Sequence, residues 1–434
     1  MSATLSQPLK LPCGAVIRNR IAKSAMTEGL GDNRGRPTEG HVNLYKAWAD
    51  GGAGLLITGN VIVDIDHLER PGNVVIDRKP DEETSRRLKA WATAGTRNGT
   101  HLWMQISHAG RQTQAIVNPH PKAPSAVTLG LPGKQFGEPV PLTEPEIEDL
   151  INRFVIASKA AEDAGFNGVQ IHAAHGYLAS QFLNPRANLR TDKWGGSLEN
   201  RARFLMEIVR KVRAAVKPGF AVGVKLNSAD FQKGGFAFED SLTVAKWLEE
   251  AGVDMIEVSG GSYEQPRMMN LEGMEAVDPQ KLPASTAARE AYFVDFAKAM
   301  RQALKIPVLL TGGIRLLKAA NHAIETSAAD MVGLGRPMCV DTDAPAKWLR
   351  GEEELTRWEA RLKLLPPWLS FLRAIPLVRT MDSFGVMFWY YAQLDRIGKA
   401  KPVEPNLSVF AAMREVDAFT RRMAREIRDA RTAA

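Results

Sequence analysis

Cysteine is nearly missing from this 434-residue sequence, with Cys13 and Cys339 the only two. That excludes a disulfide framework, and it excludes a cysteine-ligated iron–sulfur cluster, which needs about four thiolates. Long apolar runs are missing as well. The longest, "LLPPWLSFLRAIPLV", is broken by prolines and Arg373 and is too short to span a bilayer. No basic-then-apolar signal pattern marks "MSATLSQPLK", so a cytoplasmic, reduced, soluble chain is the expectation. The net charge of +7 is mild, and its basic residues gather mainly in "TRRMAREIRDAR". No basic block is interleaved with aromatics, which argues against nucleic acid as a partner.

What remains is an ordinary globular composition, 44% hydrophobic and 24% charged. From about residue 21 a short apolar strand, a turn and an amphipathic helix recur. The strands are "IAKSAMT", "GLLITGN", "HLWMQIS", "GVQIHA", "FAVGVKL", "DMIEVSG", "PVLLTGG" and "DMVGLG". Helices are expected at roughly 40–52, 82–98, 144–164, 199–216, 240–251, 286–303 and 315–327, with Thr143 and Ser197 as capping residues. Eight such alternations predict an α/β fold, a parallel (β/α)8 TIM barrel. "LKLPCGAVIRN" reads as an N-terminal hairpin plugging the lower end. The regular alternation stops near 345, which divides the chain into a barrel over 1–345 and a helical C-terminal extension over 346–434.

Within the strands, alternation assigns the faces. Val169 and Ile171 share one face of "GVQIH" while Gln170 and His172 share the other. Val222 and Val224 oppose Lys225, and Leu102, Met104 and Ile106 oppose Trp103 and Gln105. The aliphatic face turns to the helices, so Gln105, His172 and Lys225 face inward at C-terminal strand ends, where barrel enzymes place their chemistry. Two connections at that rim are long, 173–196 and 259–285, and are expected to form functional walls or lids.

"IHAAHGYL" at residues 171–178 sets His172, His175 and Tyr177 close together. A catalytic zinc takes three protein ligands, and no third ligand stands beside this pair. A core role suits a strand-end pair at a mouth poorly. The remaining reading is two neutral imidazoles offering N–H groups to one carbonyl or anionic oxygen, with Tyr177 as proton donor. The glycines of "LLTGGI" and "GLGRP", with Arg336, favour a phosphate-bearing cofactor on the rim after strands seven and eight.

"SAMT", "QISHAGRQ", "GVQIHAAHGYLASQFLNPRANLRTDKWGGSLENRARF", "VGVKLNSAD", "TGGI" and "GLGRP" together resemble the old yellow enzyme family of FMN-dependent ene-reductases, over about residues 5 to 340. The resemblance implies FMN in the barrel mouth. Ser24, Ala25, Met26 and Thr27 would line the flavin, with Thr27 on its O4 edge and Gly59 near the ring. Gln105 would pair with the pyrimidine edge, and Lys225 would sit beside N1 and O2, where a cation stabilises the reduced form. Gly313, Gly335 and Arg336 would hold the phosphate. His172 and His175 would grip the substrate oxygen, and Tyr177 would supply the proton. NADH or NADPH would reduce the flavin and leave, and an α,β-unsaturated carbonyl compound would then accept hydride in a ping-pong cycle.

The chain departs from the pattern in carrying Lys225 where many members have arginine, and Gly29 where some have tyrosine. Arg111 is a candidate for substrate or nicotinamide contact, or a structural ion pair. Tyr263 is a candidate pocket residue. Trp194 is expected to pack the long loop, and Cys339 to be inert. The "FWYY" run, Phe388 to Tyr391, reads as helix packing or a dimer contact more than as part of a site, with a reach into a neighbouring active site as the lesser alternative, so a homo-oligomer is open. Three other functions stay open. One is an FMN-dependent NADH oxidase or dehydrogenase acting on quinones or another acceptor, one a flavin-binding protein without catalysis, and one a metal-dependent hydrolase.

Overall fold

The computed structural model describes residues 4–131, 135–261, 286–365, 368–369, 371 and 375–432. Eight parallel strands close on themselves: β1 (Ile21–Lys23), β2 (Leu55–Ile57), β3 (His101–Ser107), β4 (Gly168–Ala173), β5 (Ala221–Asn227), β6 (Met255–Ser259), β7 (Val308–Thr311) and β8 (Met331–Leu334). Each pairs with the next, and β8 pairs with β1 to shut the cylinder. The helices that follow them in turn are α1 (Glu39–Asp50), α2 (Glu82–Gly95), α3 (Glu144–Ala164), α4 (Leu198–Ala215), α5 (Phe238–Glu250), α6 (Thr286–Ala303), α7 (Leu317–Glu325) and α8 (Ala344–Leu349). Local chemistry sets their starts. Thr143 caps α3 in a capping box with Glu146, and Ser197 accepts the Asn200 amide at the head of α4.

The alternation read from the strands is the alternation found. Val169, Ile171, Val222, Val224 and Met104 join the large apolar layer between barrel and helices. The opposite faces fill the cylinder's lower half, where Trp103, Leu55, Ile57, Met255, Leu309 and Met331 form a second cluster. The N-terminal hairpin, Leu9–Lys10 paired antiparallel with Val16–Ile17, closes that end by adding Leu9, Leu11 and Ile17 to the cluster. Trp103 is fully buried, and a buried aromatic of its size removes on the order of 200 Å² from water. The barrel floor is therefore packed, and a ligand can enter only from the C-terminal rim.

Three features lie beyond the periodic signal. Val61–Ile62 and Val74–Val75 extend the sheet beside β3; two-residue ladders are too short to show a period. The connection 173–196, expected as a loop, contains a buried helix at Leu178–Leu183. The extension supplies α9 (Pro376–Gly398) and α10 (Val409–Thr432). These two approach closely at Gly385, where a Cβ would stand 2.7 Å from Val409 Cγ1. Their connection is pinned by Gln393, whose amide donates to the Glu404 carbonyl at 3.0 Å and accepts its N–H at 2.7 Å. Asn43 of α1 donates to the Gly398 carbonyl at 3.0 Å. Trp389 and Leu394 join the same apolar layer as the barrel helices. This seats α9 against the barrel.

Candidate active site

A cavity of about 560 Å³ opens at the C-terminal ends of the strands, within the range of small-molecule sites. Its wall brings together Ala25, Met26 and Thr27 after β1, Gln105 on β3, Lys225 on β5, and His172, His175 and Tyr177 at and after β4. Gly313, Gly335 and Arg336 complete the opposite end. Ser24 and Gly59 stand behind this lining. Ser24 Oγ lies 2.7 Å from Thr311 Oγ1, and the Gly59 N–H donates to Glu28 Oε1 at 2.9 Å. Arg111 is also buried outside the lining, with Nη1 donating to the carbonyls of Val127 and Thr128 at 3.4 and 3.3 Å. Tyr263, and the methionines Met268, Met269 and Met274 of the second long connection, lie outside the described residues.

The two imidazoles are held rather than loosely placed. His175 adopts a left-handed backbone with φ 61°, a conformation that costs a non-glycine residue roughly 1–2 kcal/mol. Its N–H donates to Asn227 Oδ1 at 3.1 Å, and its carbonyl accepts from Gln112 Nε2 at 3.0 Å. Its ring Nε2 lies 2.6 Å from Ser259 Oγ. His172 Nδ1 accepts the Ala174 N–H at 3.2 Å, so the proton of a neutral ring stands on Nε2. The His172 ring meets the His175 and Tyr177 rings edge-on, with centroids 5.0 and 4.8 Å apart. Burial, and then the Lys225 charge, hold both histidines well below the usual imidazole range. At neutral pH they are therefore neutral N–H donors, not cations.

Beneath them runs a buried polar layer. Lys225 Nζ donates to Glu257 Oε1 at 2.9 Å, and Glu257 is fully buried on β6. At the other end Gly333 permits close packing of the floor, since a Cβ there would meet Ser24 Oγ and Thr311 Oγ1 at 2.2 Å. Arg315, directly after "TGGI", and Glu359 from the extension also line the cavity, 3.0 Å apart. Burial opposes ionisation of Glu359, but Arg336 and Arg315 outweigh it and hold its carboxyl below the ordinary range. The roof comes from α9, through Val386, Met387, Tyr390, Tyr391 and Leu394.

Arg315 and Glu257 had legible signals. One is a cation beside the glycine turn, and the other a carboxylate at an inward strand position. The roof had none, because a helix's apolar face does not say which wall it will meet.

A second histidine group lies apart from this lining. Asp64, His67 and His108 bring one ligand atom each within 4.8 Å of one another, the one such group among the described residues. Backbone amides of Lys122 and Gly110 already donate to His67 Nε2 and His108 Nδ1, at 2.8 and 3.0 Å. The remaining nitrogens must carry the protons, and they face Asp64 at 3.1 and 3.8 Å. Burial raises the Asp64 carboxyl, but the facing imidazoles of His108 and His67 override it and hold it well below the carboxylate range. This is an anchored carboxylate, not a metal centre.

A family profile described as NADH:flavin oxidoreductase / NADH oxidase matches residues 4–354. The chain belongs to this flavin oxidoreductase family. It is 38% identical over 355 residues to NADH-dependent flavin oxidoreductase iliE of Neonectria sp. (strain DH2), with 78% of this chain and 46% of that protein covered. The chain thus spans less than half of that relative. Against NADH-dependent flavin oxidoreductase iliE of Hypocrea jecorina (strain QM6a) it is 37% identical over 388 residues, covering 84% and 94%. The solved old yellow enzyme homologue from Zymomonas mobilis shares the fold, with a TM-score of 0.67 at 24% identity over 82% of this chain and 94% of that one.

The flavin oxidoreductase family's cofactor is FMN, and the residues present fit it. Arg336 and Arg315 stand among the glycines at one end, as a phosphate requires. The Gln105 amide and the Lys225 ammonium stand at the other, as a pyrimidine edge with developing negative charge requires. Among the described residues, no helix is long and apolar enough to cross a membrane.

Proposed function

We propose that this chain is an FMN-dependent ene-reductase that uses NADH or NADPH to reduce the activated C=C bond of α,β-unsaturated carbonyl compounds. The observation that carries the reading is the neutral pair His172 and His175 beside Tyr177 on one wall of the cavity. When bound, FMN supplies the two-electron reservoir between nicotinamide and alkene.

The residues supply the rest. His172, with its proton on Nε2, and His175 donate to the carbonyl oxygen of the substrate, which polarises the alkene and stabilises the negative charge that builds on that oxygen. Their neutrality matters. An imidazolium would be a stronger donor but would need a costly buried charge beside Lys225. Tyr177, edge-on to His172, delivers a proton to the α-carbon as the β-carbon is reduced, so one hydride and one proton saturate the bond. Gln105 and Lys225 would hold the pyrimidine edge, and Gly313, Gly335, Arg315 and Arg336 would hold the phosphate. The α9 roof keeps water from the reacting face.

The test is anaerobic reduction by each nicotinamide, followed by reoxidation with enones, maleimides and quinones. Replacing Tyr177 with Phe should slow alkene turnover by about 10²–10⁴-fold and leave the reduction step by NAD(P)H intact. Unchanged alkene turnover in that variant, with rapid quinone turnover, would point instead to an NADH oxidase or dehydrogenase using another acceptor.

A further inference from the structure

Glu257 is a fully buried carboxylate with no contact to the outside. It stands in register with Lys225 on the neighbouring strand, and Lys225 with His172 on the next. Every bond it makes leads to the cavity wall. Oε1 accepts from Lys225 Nζ at 2.9 Å and from Thr311 Oγ1 at 2.7 Å. Oε2 accepts from Gln170 Nε2 at 2.8 Å. An ionised carboxylate can only accept, and that one-sidedness propagates. Gln170 must turn its NH2 toward Glu257, so its carbonyl faces Gln105, which donates from Nε2 at 2.7 Å. With that N–H engaged, the Gln105 carbonyl and its second N–H are the groups left for a ligand in the cavity that Gln105 lines. Thr311 must likewise spend its hydroxyl proton on Glu257, which makes Ser24 the donor in their 2.7 Å contact. One buried charge thus sets the polarity of Gln170, Gln105 and Thr311 together, and pairs with the Lys225 ammonium.

We propose that Glu257 is a positioning residue that sets the flavin's midpoint potential, by offsetting the Lys225 charge and by orienting Gln105 through Gln170. The proposal rests on the reading that Gln105 and Lys225 meet the pyrimidine edge of FMN. A lone ammonium there would favour the reduced, more negative cofactor strongly. Pairing it with Glu257 mutes that preference and keeps the reduced form a competent hydride donor.

The test is the midpoint potential of the FMN-loaded protein, measured by equilibration with redox dyes, for wild type, Glu257→Gln, Glu257→Asp and Lys225→Met. Glu257→Gln should raise the potential, Glu257→Asp should raise it less, and Lys225→Met should lower it. A tenfold gain in binding of reduced over oxidised FMN reads as about 30 mV for this two-electron couple. Glu257→Asp keeps the charge in the barrel and so guards against a variant that does not fold. If Lys225→Met shifts the potential while both Glu257 variants leave it unchanged or lower it, the proposal is overturned and the site reading stands. If Lys225→Met leaves the potential unmoved, the placement of the pyrimidine edge fails first.

Discussion

Asn227 carries a structural burden out of proportion to its size, and replacing it with alanine exposes how His175 is held. The side chain is fully buried. Its Oδ1 accepts the N–H of His175 at 3.1 Å, and its Nδ2 donates to Asp230 Oδ1 at 2.7 Å and to the Gly261 carbonyl at 2.9 Å. Two of these bonds are neutral, worth about 1 kcal/mol each, and the one to a carboxylate is worth about 2 kcal/mol. Asn227→Ala should therefore cost about 4 kcal/mol in urea unfolding of the FMN-loaded protein. The catalytic consequence follows from the backbone of His175. Its φ of 61° is tolerated because its amide and carbonyl are both fixed. Freed at the amide, the residue relaxes toward ordinary backbone angles and carries its ring away from the oxygen site. A displacement near 1 Å costs about a hundredfold in kcat/KM for an enone. Asn227→Asp separates the two effects, because it keeps the acceptor for His175 but sets a second carboxylate against Asp230. It should lose stability while keeping most of its turnover. An alanine variant that loses less than about 1 kcal/mol and keeps its kcat/KM would refute the view that Asn227 holds His175 in place.

Acidification offers a second test. Burial holds His41 at about 4 and holds His108 at about 4 as well. Their unfolded values lie near 6.5, so between those limits the unfolded chain binds protons that the native chain excludes. Stability then falls as pH falls through that window, by about 3 kcal/mol for each group once pH reaches 4. Urea midpoints measured from pH 7 to pH 4 should trace that loss, and a flat profile would contradict it. At the phosphate end, Arg336→Ala should weaken FMN by ten- to a hundredfold, since a charge-assisted bond is worth about 1.5–3 kcal/mol. Riboflavin, which lacks the phosphate, should bind that variant as it binds the wild type in a fluorescence titration.

The eight barrel strands and the helices between them, the closed barrel, the plugged floor and the inward placement of Gln105, His172 and Lys225 were legible in the sequence alone. Those features rest on period-two alternation and capping, which are written in neighbouring residues. Tertiary structure alone decided how distant segments meet. Glu257 could be read as an inward carboxylate, but its pairing with Lys225 exists only because two strands close in register. Glu359 reaches Arg315 from beyond the barrel, and Tyr390 and Tyr391, read as packing or dimer residues, form a roof over the chain's own cavity. No local period encodes such contacts, because an apolar or charged face specifies what it will accept and not which partner arrives. His175 shows both limits at once. Its place in "IHAAHGYL" marked it as a ligand for oxygen, while the strained backbone and the Asn227 bond that hold it there come from the fold.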